Sequence, residues 1–389
     1  MIEIKKKIVK SIKILFRAVN RIIPKNSKRV VFKSNPDFSG NGKAFSDYLL
    51  NVKCKYDVVW IVSGCYAEYI DGITIVKKGT FKALWLYATS KYIVTTHNEM
   101  IGTRAGNQVY ISLWHGMPMK KICYLGEFDH QGMEDYSSLR IATSEIMRSI
   151  ISACFREKAN NVYVTGQPRN DYLFDEKIRT TSFYKDIKSK YEKVVFYTPT
   201  FRENQEDARY SDGVKIEGHN FLRTNDFDLD SLNKYFSENN ILLLLKLHPF
   251  EEKSITNSIL GSHIRVITSH QLKEKELDIN HILSITDILI SDYSSIYFDF
   301  LMLNKPIVFL VPDKEQYEKS RGGFVLEPFD SWTPGSKVVT QKALLDEISE
   351  IKIGIDKYSD KRNEVNLIIN KFDDNKNCER VYNLFFSED

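Results

Sequence analysis

Four short polar runs hold the side chains of this 389-residue chain that could do chemistry, and each directly follows a stretch of apolar residues. In the first, Trp114-His115-Gly116-Met117-Pro118, an imidazole sits beside a glycine, with Lys120 and Lys121 close behind. An imidazole with its ordinary pKa near 6.5 accepts a proton at neutral pH, and a neighbour without a side chain lets a ligand come close. A lone histidine there reads equally well as a structural cap on a turn. The second run, Thr198-Pro199-Thr200-Phe201-Arg202, offers two hydroxyls and a guanidinium suited to phosphate oxygens. The third is Lys246-Leu247-His248-Pro249. In the fourth, Ser291-Asp292-Tyr293-Ser294-Ser295 leads into the apolar stretch 296–303, read as a helix. Ser294 or Ser295 is expected to cap that helix, whose free N–H groups and dipole form an anion site. Asp299 lies one turn inside, where a carboxylate can accept bonds from sugar or polyol hydroxyls. Arg321-Gly322-Gly323 adds a cationic loop. Taken together, these runs describe a site for a phosphate-rich donor.

Several chemistries lack their signatures. There is no GxxxxGK[ST] and no GxGxxG after a strand, so neither a P-loop nor a dinucleotide fingerprint is present. Nothing resembles the carboxylate pair of a glycoside hydrolase. The five cysteines never fall into a CxxC pair, which excludes a cysteine zinc cluster and fits reduced thiols. No acidic cluster marks a metal site. No metal or other cofactor is expected, which leaves room for a magnesium ion borne by the donor.

Strands and helices alternate around these runs. Expected strands are Val30–Lys33, Val58–Val62, Tyr92–Thr95, Val109–Leu113, Leu139–Ala142 and Val162–Thr165. After the charged stretch 175–193 come Val194–Tyr197, Leu242–Leu247, Ile264–Ile267, Ile288–Ser291 and Ile307–Val311. Continuous rather than alternating apolar runs suit strands covered on both faces. The pattern predicts an α/β chain of two Rossmann-like, doubly wound domains facing a cleft, at residues 30–178 and 179–389. In such sheets ligands lie beyond the carboxyl ends of the strands, where the polar runs are found.

Residues 1–29 differ from the rest, with ten Lys/Arg and a single acid, Glu3. Ile4, Ile8, Ile12, Leu15, Val19 and Ile22 recur every three or four residues, with Val9, Phe16 and Ile23 widening the face. Lys6, Lys10, Lys13, Arg17 and Arg21 lie beside or opposite it. A basic amphipathic helix of this kind suits an anionic bilayer surface; the plain alternative is a helix packed on the body. Lysines interrupt every apolar stretch and no small-residue cleavage site follows, so a signal peptide is not expected. The longest aliphatic run, Ile241 to Leu245, is far short of the roughly 20 residues that span a bilayer. A net charge of +4 gives no footprint for nucleic acid.

The motifs, with Gly166-Gln-Pro-Arg169-Asn-Asp171 between the first and second, resemble in kind and order those of the CDP-glycerol glycerophosphotransferase family of teichoic-acid and capsule polymer synthesis. The resemblance runs from about residue 30 to about residue 350. It implies a glycosyltransferase-B-type fold at the cytoplasmic face of the cell membrane. A CDP-glycerol or related CDP-polyol donor and a polyprenyl-diphosphate-linked saccharide or polymer acceptor are implied as well, with release of CMP. It further implies His115 as base for the acceptor hydroxyl, with Gly116 and Arg169 near acceptor or phosphate. His248, Ser294, Ser295 and Arg321 would hold the pyrophosphate, and Asp299 the donor hydroxyls. Thr198, Thr200, Arg202, Lys246 and Asp292 complete the donor-binding set. Two other readings stay open: a nucleotide-sugar glycosyltransferase of the same fold, and a non-catalytic membrane partner in polymer assembly.

Overall fold

The computed structural model describes residues 2–52, 56–64, 69–126, 133, 137–202, 216, 218–248, 251, 252, 255 and 260–387. The side chains of residues 2–10, hence of Ile4, Lys6, Ile8, Val9 and Lys10, and that of Arg321 lie outside the description, as do Cys54, Cys65 and Pro249.

The chain forms two compact units. One holds residues 1–116, 132–171 and 374–389; the other holds 117–131 and 172–373. Two segments therefore cross a simple division of the chain near residue 178. The stretch following His115-Gly116 belongs with the later residues, and the C-terminal helix Asn377–Phe385 belongs with the earlier ones. Asp171 holds that helix in place by accepting from the backbone N–H groups of Asn377 and Cys378, at 2.9 and 2.8 Å. Gly166 has a φ of +78°, and a Cβ there would come within 1.8 Å of Asn377 Oδ1, so only glycine fits. Two of the motif residues at 166–171 thus serve the fold.

The first unit contains β1 (Asn26–Lys33), β2 (Asp57–Val62), β3 (Ile73–Lys77), β4 (Ser90–Thr95), β5 (Val109–Ser112), β6 (Leu139–Ala142) and β7 (Val162–Val164). They form one parallel sheet in the order β3-β2-β1-β4-β5-β6-β7. The second unit contains β8 (Lys193–Tyr197), β9 (Ile241–Leu245), β10 (Ile264–Val266), β11 (Ile288–Ser291), β12 (Ile307–Leu310) and β13 (Ser336–Val338), also all parallel, ordered β10-β9-β8-β11-β12-β13. Each order reverses at a switch point, β1/β4 in one sheet and β8/β11 in the other, and in sheets of this kind ligands sit at the loops leaving the carboxyl ends of those strands.

Central strands such as β9, Ile-Leu-Leu-Leu-Leu, are buried throughout. Two strands were not expected from the sequence. β3 and β13 are both edge strands, five and three residues long, where one-sided pairing leaves the apolar signal weak. The apolar stretch 296–303 also differs from expectation, being a five-residue helix, Ile296–Phe300, followed by a 3-10 turn.

The helices needed below are α1 (Ile2–Ile22), α2 (Gly40–Asn51), α3 (Phe81–Thr89) and α4 (Glu145–Phe155). Only part of α1 is used for packing. Phe16 lies on Tyr87 at 6.1 Å, and buried Asn20 donates to Thr103 O and Gln108 Oε1. Of the described residues of the predicted stripe, Phe16 and Ile23 are half-buried, whereas Ile12, Leu15, Val19 and Ile22 are 61, 68, 46 and 81% exposed. No helix among the described residues is long and apolar enough to cross a membrane.

Candidate active site

In the first unit, β5 ends at Ser112 and the chain turns sharply through Trp114, whose φ is +52°. A bulky L-residue in the left-handed region costs about 1–2 kcal/mol, so its surroundings must hold it there. Two contacts do so. The indole packs edge-on against Phe155 of α4 at 4.8 Å, and buried Asn41 Nδ2 donates to the carbonyls of Leu113 and Trp114 at 2.9 and 3.0 Å. The turn delivers His115 to the surface.

His115 Nδ1 lies 3.1 Å from the Thr96 carbonyl at the end of β4. A carbonyl can only accept, so Nδ1 carries the proton and Nε2 carries the lone pair of the neutral ring. That tautomer suits a general base. The ring stacks on His97 at 4.0 Å, nearly parallel at 9°. Arg169 Nη1 donates to the His115 carbonyl at 2.8 Å, and its backbone N–H donates to Asn41 Oδ1. Asn41 therefore ties the His115 turn to the 167–169 loop. Gly116, buried at φ +141°, follows where the chain leaves the unit.

Thr96, His97 and Asn41 were not anticipated. The Thr96-His97 pair ends β4 just as the named runs end their strands, so the same criterion would have found it. Burial and then the Lys33 ammonium push the His97 pKa down to about 4. Since this lies below the unfolded value near 6.5, the unfolded chain takes up its proton first as pH falls. The stability held by neutral His97 is whole above about pH 6.5 and declines as pH falls toward 4, by at most about 3 kcal/mol. Urea unfolding at pH 7 and pH 5 should show a smaller loss for His97→Asn than for wild type. Equal losses would unlink His97 from acid stability.

In the second unit, four residues named for the donor lie in the interior. Thr198, Arg202, Asp292 and Asp299 are all buried. Arg202, read from sequence as a phosphate ligand, is 2% exposed and donates to Asp292 Oδ2 and Asp313 Oδ2, both at 2.9 Å, and to Thr200 O at 2.6 Å. Its guanidinium also lies 4.8 Å from the Tyr293 and Tyr317 rings. Burial alone would lower its pKa; the two carboxylates more than reverse this. Asp292 in turn accepts from the Thr200 N–H and hydroxyl, at 2.8 and 2.7 Å. Arg202 thus organises the loop after β8 from beneath, its guanidinium turned inward to the two carboxylates. Asp299 is fully buried and accepts from Asn280 Nδ2 at 3.4 Å, one layer below the loop surface. Lys246 is engaged too, donating to Leu247 O, Glu252 Oε1 and Ser269 Oγ.

What reaches the surface of these loops is half-buried Thr200, His248, Ser294 and Ser295. The His248 ring stacks on Phe201 at 4.4 Å. Burial, and then the Lys246 ammonium, lower its pKa against the opposing pull of Glu252, so its ring is neutral at pH 7. Ser295 occupies the N-cap position without a side-chain cap bond, while Ser294 Oγ accepts from Ile296 N–H at 3.4 Å. The segment entering from the first unit pairs here: Lys120 bridges to Phe324, Lys121 N–H donates to Gly323 O, and Lys120 Nζ lies 5.9 Å from the Tyr317 ring. This places two lysines beside Gly322-Gly323; Arg321, expected in a loop, is instead the last residue of the helix Lys314–Arg321, which Gly322 ends at φ +72°. Among the described residues, no group of three or more His, Cys, Asp or Glu is arranged to hold a metal ion.

Two doubly wound parallel sheets with polar loops at their switch points define a glycosyltransferase-B-like α/β protein. The wall teichoic acid polymerase TagF has this fold, and its structure aligns with TM-score 0.76 over 97% of this chain and 94% of that one, at 20% identity. The family model described as CDP-Glycerol:Poly(glycerophosphate) glycerophosphotransferase matches residues 15–387, and the chain belongs to that family of glycerophosphotransferases. It is 29% identical to the teichoic acid poly(glycerol phosphate) polymerase of Bacillus spizizenii over 89% of each chain. It is also 25% identical to the teichoic acid glycerol-phosphate transferase of Staphylococcus aureus over 92% of each. The resemblance read from the motifs is borne out.

Proposed function

We propose that this chain transfers glycerol phosphate, or a related polyol phosphate, from CDP-glycerol to a hydroxyl of a polyprenyl-linked saccharide or growing teichoic-acid or capsule polymer. The observation that supports the reading is the 3.1 Å contact of His115 Nδ1 with the Thr96 carbonyl, which orients an exposed imidazole with Nε2 as its proton-accepting atom in a chain of this family. The acceptor hydroxyl oxygen forms a bond to the donor β-phosphorus as its proton passes to His115 Nε2. The bond from that phosphorus to the bridging oxygen breaks, and CMP leaves. Charge spreads over the phosphate oxygens, so catalysis rests on positioning and electrostatics. In this reading Thr200, His248, Ser294, Ser295 and Arg321 hold the pyrophosphate, and Gly116 and Arg169 border the acceptor.

The membrane association is supported by α1, whose apolar stripe at Ile12, Leu15, Val19 and Ile22 is exposed beside Lys13, Arg17 and Arg21. Such a face suits the anionic cytoplasmic surface of the cell membrane.

The nucleotide released tests the reading. Incubation with CDP-glycerol and acceptor should yield CMP. Release of a nucleoside diphosphate from a nucleotide sugar would favour a glycosyltransferase, and absence of any nucleotide binding would favour a non-catalytic partner. His248→Ala should weaken CDP-glycerol binding by roughly 10- to 150-fold, the equivalent of about 1.5–3 kcal/mol for a hydrogen bond to a charged group. Unchanged affinity by titration calorimetry would remove His248 from the donor site.

A further inference from the structure

We infer that the N-terminal turn of α3 is a second membrane-contact element, inserting Phe81, Leu84 and Trp85 among anionic lipids while Lys77, Lys78 and Lys82 bind their head groups. The inference rests on the reading that α1 lies on such a surface. Phe81, Leu84 and Trp85 are 80, 47 and 53% exposed, and at spacings of three and four they occupy one arc of the helix. The opposite arc, Ala83 and Tyr87, is buried in the core. Single exposed apolar residues are ordinary, but a large aromatic pair with a leucine on one arc forms a patch.

Its charge points to one occupant. Lys77, Lys78 and Lys82 are exposed around the patch, and the chain has no Asp or Glu between Asp71 and Glu99. Aromatic and leucine side chains on one side with lysines around them match the boundary between head groups and acyl chains. A second protein copy would need acidic or apolar complements instead. The turn is also held firmly: Gly79 adopts φ +85°, and Thr80 Oγ1 caps α3 by accepting from Ala83 N–H at 3.2 Å.

The fold places this patch on the same side of the unit as α1. Val31, Val59 and Ile93 pair in register and share one face of the sheet with Ile61, Val76 and Tyr110. Both Phe16 of α1 and Tyr87 of α3 pack onto that cluster, and Lys25 Nζ donates to Ala88 O. The exposed arcs of the two helices therefore point away from the same sheet face. Two elements seated on one bilayer hold the unit's orientation as well as its attachment, which a single surface helix does not.

The experiment uses the full chain and vesicles of equimolar phosphatidylglycerol and phosphatidylcholine. The triple variant Phe81→Ser, Leu84→Ser, Trp85→Ser should bind about tenfold or more weakly than wild type, with turnover on a short soluble acceptor unchanged. In the wild type, lipids brominated in the acyl chain should quench a share of tryptophan emission that disappears in Trp85→Phe, a variant that keeps the ring and the fold. Leu15→Ser, Val19→Ser, Ile22→Ser serves as the α1 arm. If only the α1 arm loses binding and Trp85 is not quenched, the α3 proposal fails while the membrane reading stands. If neither arm loses binding, both fail. If the α3 variant instead changes the oligomeric state without vesicles and binds vesicles normally, a second copy covers the patch and the proposal is overturned.

Discussion

His115→Ala should lose 10²- to 10⁴-fold in CMP release while CDP-glycerol affinity stays within a few-fold of wild type, the usual cost of removing a general base. The expectation follows from geometry. Nδ1 is engaged by the Thr96 carbonyl at 3.1 Å and the ring is seated on His97 at 4.0 Å, so the imidazole is oriented without help from substrate. The side chain is exposed and contributes little to the core, so the variant should fold. His115→Gln should fare no better than alanine, because an amide fills the space without a titratable lone pair. Steady-state CMP release beside titration calorimetry separates the two quantities. Near-wild-type turnover in either variant would overturn the base assignment and move it to His248.

Arg202→Ala should behave in the opposite way and cost about 3–5 kcal/mol of stability, because it leaves Asp292 and Asp313 facing each other, buried and uncompensated. The loop carrying Thr200 would lose its anchor as well, since Asp292 holds both the N–H and the hydroxyl of that residue. Replacing the whole ion cluster with neutral groups, Arg202→Met together with Asp292→Asn and Asp313→Asn, should recover much of the loss. Urea unfolding of the single and triple variants measures both effects. If Arg202→Ala keeps its stability within about 1 kcal/mol and loses only donor affinity, the guanidinium is a phosphate ligand after all, as the sequence suggested.

The contrast between these residues shows where the sequence stops being informative. Histidine at one strand end and arginine at another looked alike, each a polar group after an apolar run. Neither spacing nor residue type reveals that Arg202 turns inward to two carboxylates, because Asp292 and Asp313 lie 90 and 111 residues further on. The same holds for Lys246, engaged by Glu252 and Ser269, and for Asp299, buried beneath the loop with Asn280. Asn41, near the start of α2, carried no sequence signal of its own, and its bonds to Leu113, Trp114 and Arg169 join segments up to 128 residues apart.

Sequence alone determined the alternation of strand and helix, the parallel sheets and the family, because buried strands need continuous apolar runs and the site chemistry needs particular residue types just beyond them. Through local periodicity it also pointed to a helix over the first residues, where α1 spans Ile2–Ile22. Tertiary structure decided the rest: the pairing of short edge strands β3 and β13, the return of the C-terminal helix to the first unit, and which polar groups face outward. It also decided that Ile12, Leu15, Val19 and Ile22 of α1 stay exposed, since Phe16 and Asn20 take the packing positions. Burial and long-range hydrogen bonding depend on which distant segments meet, and that information is spread over the whole chain rather than held in any local run.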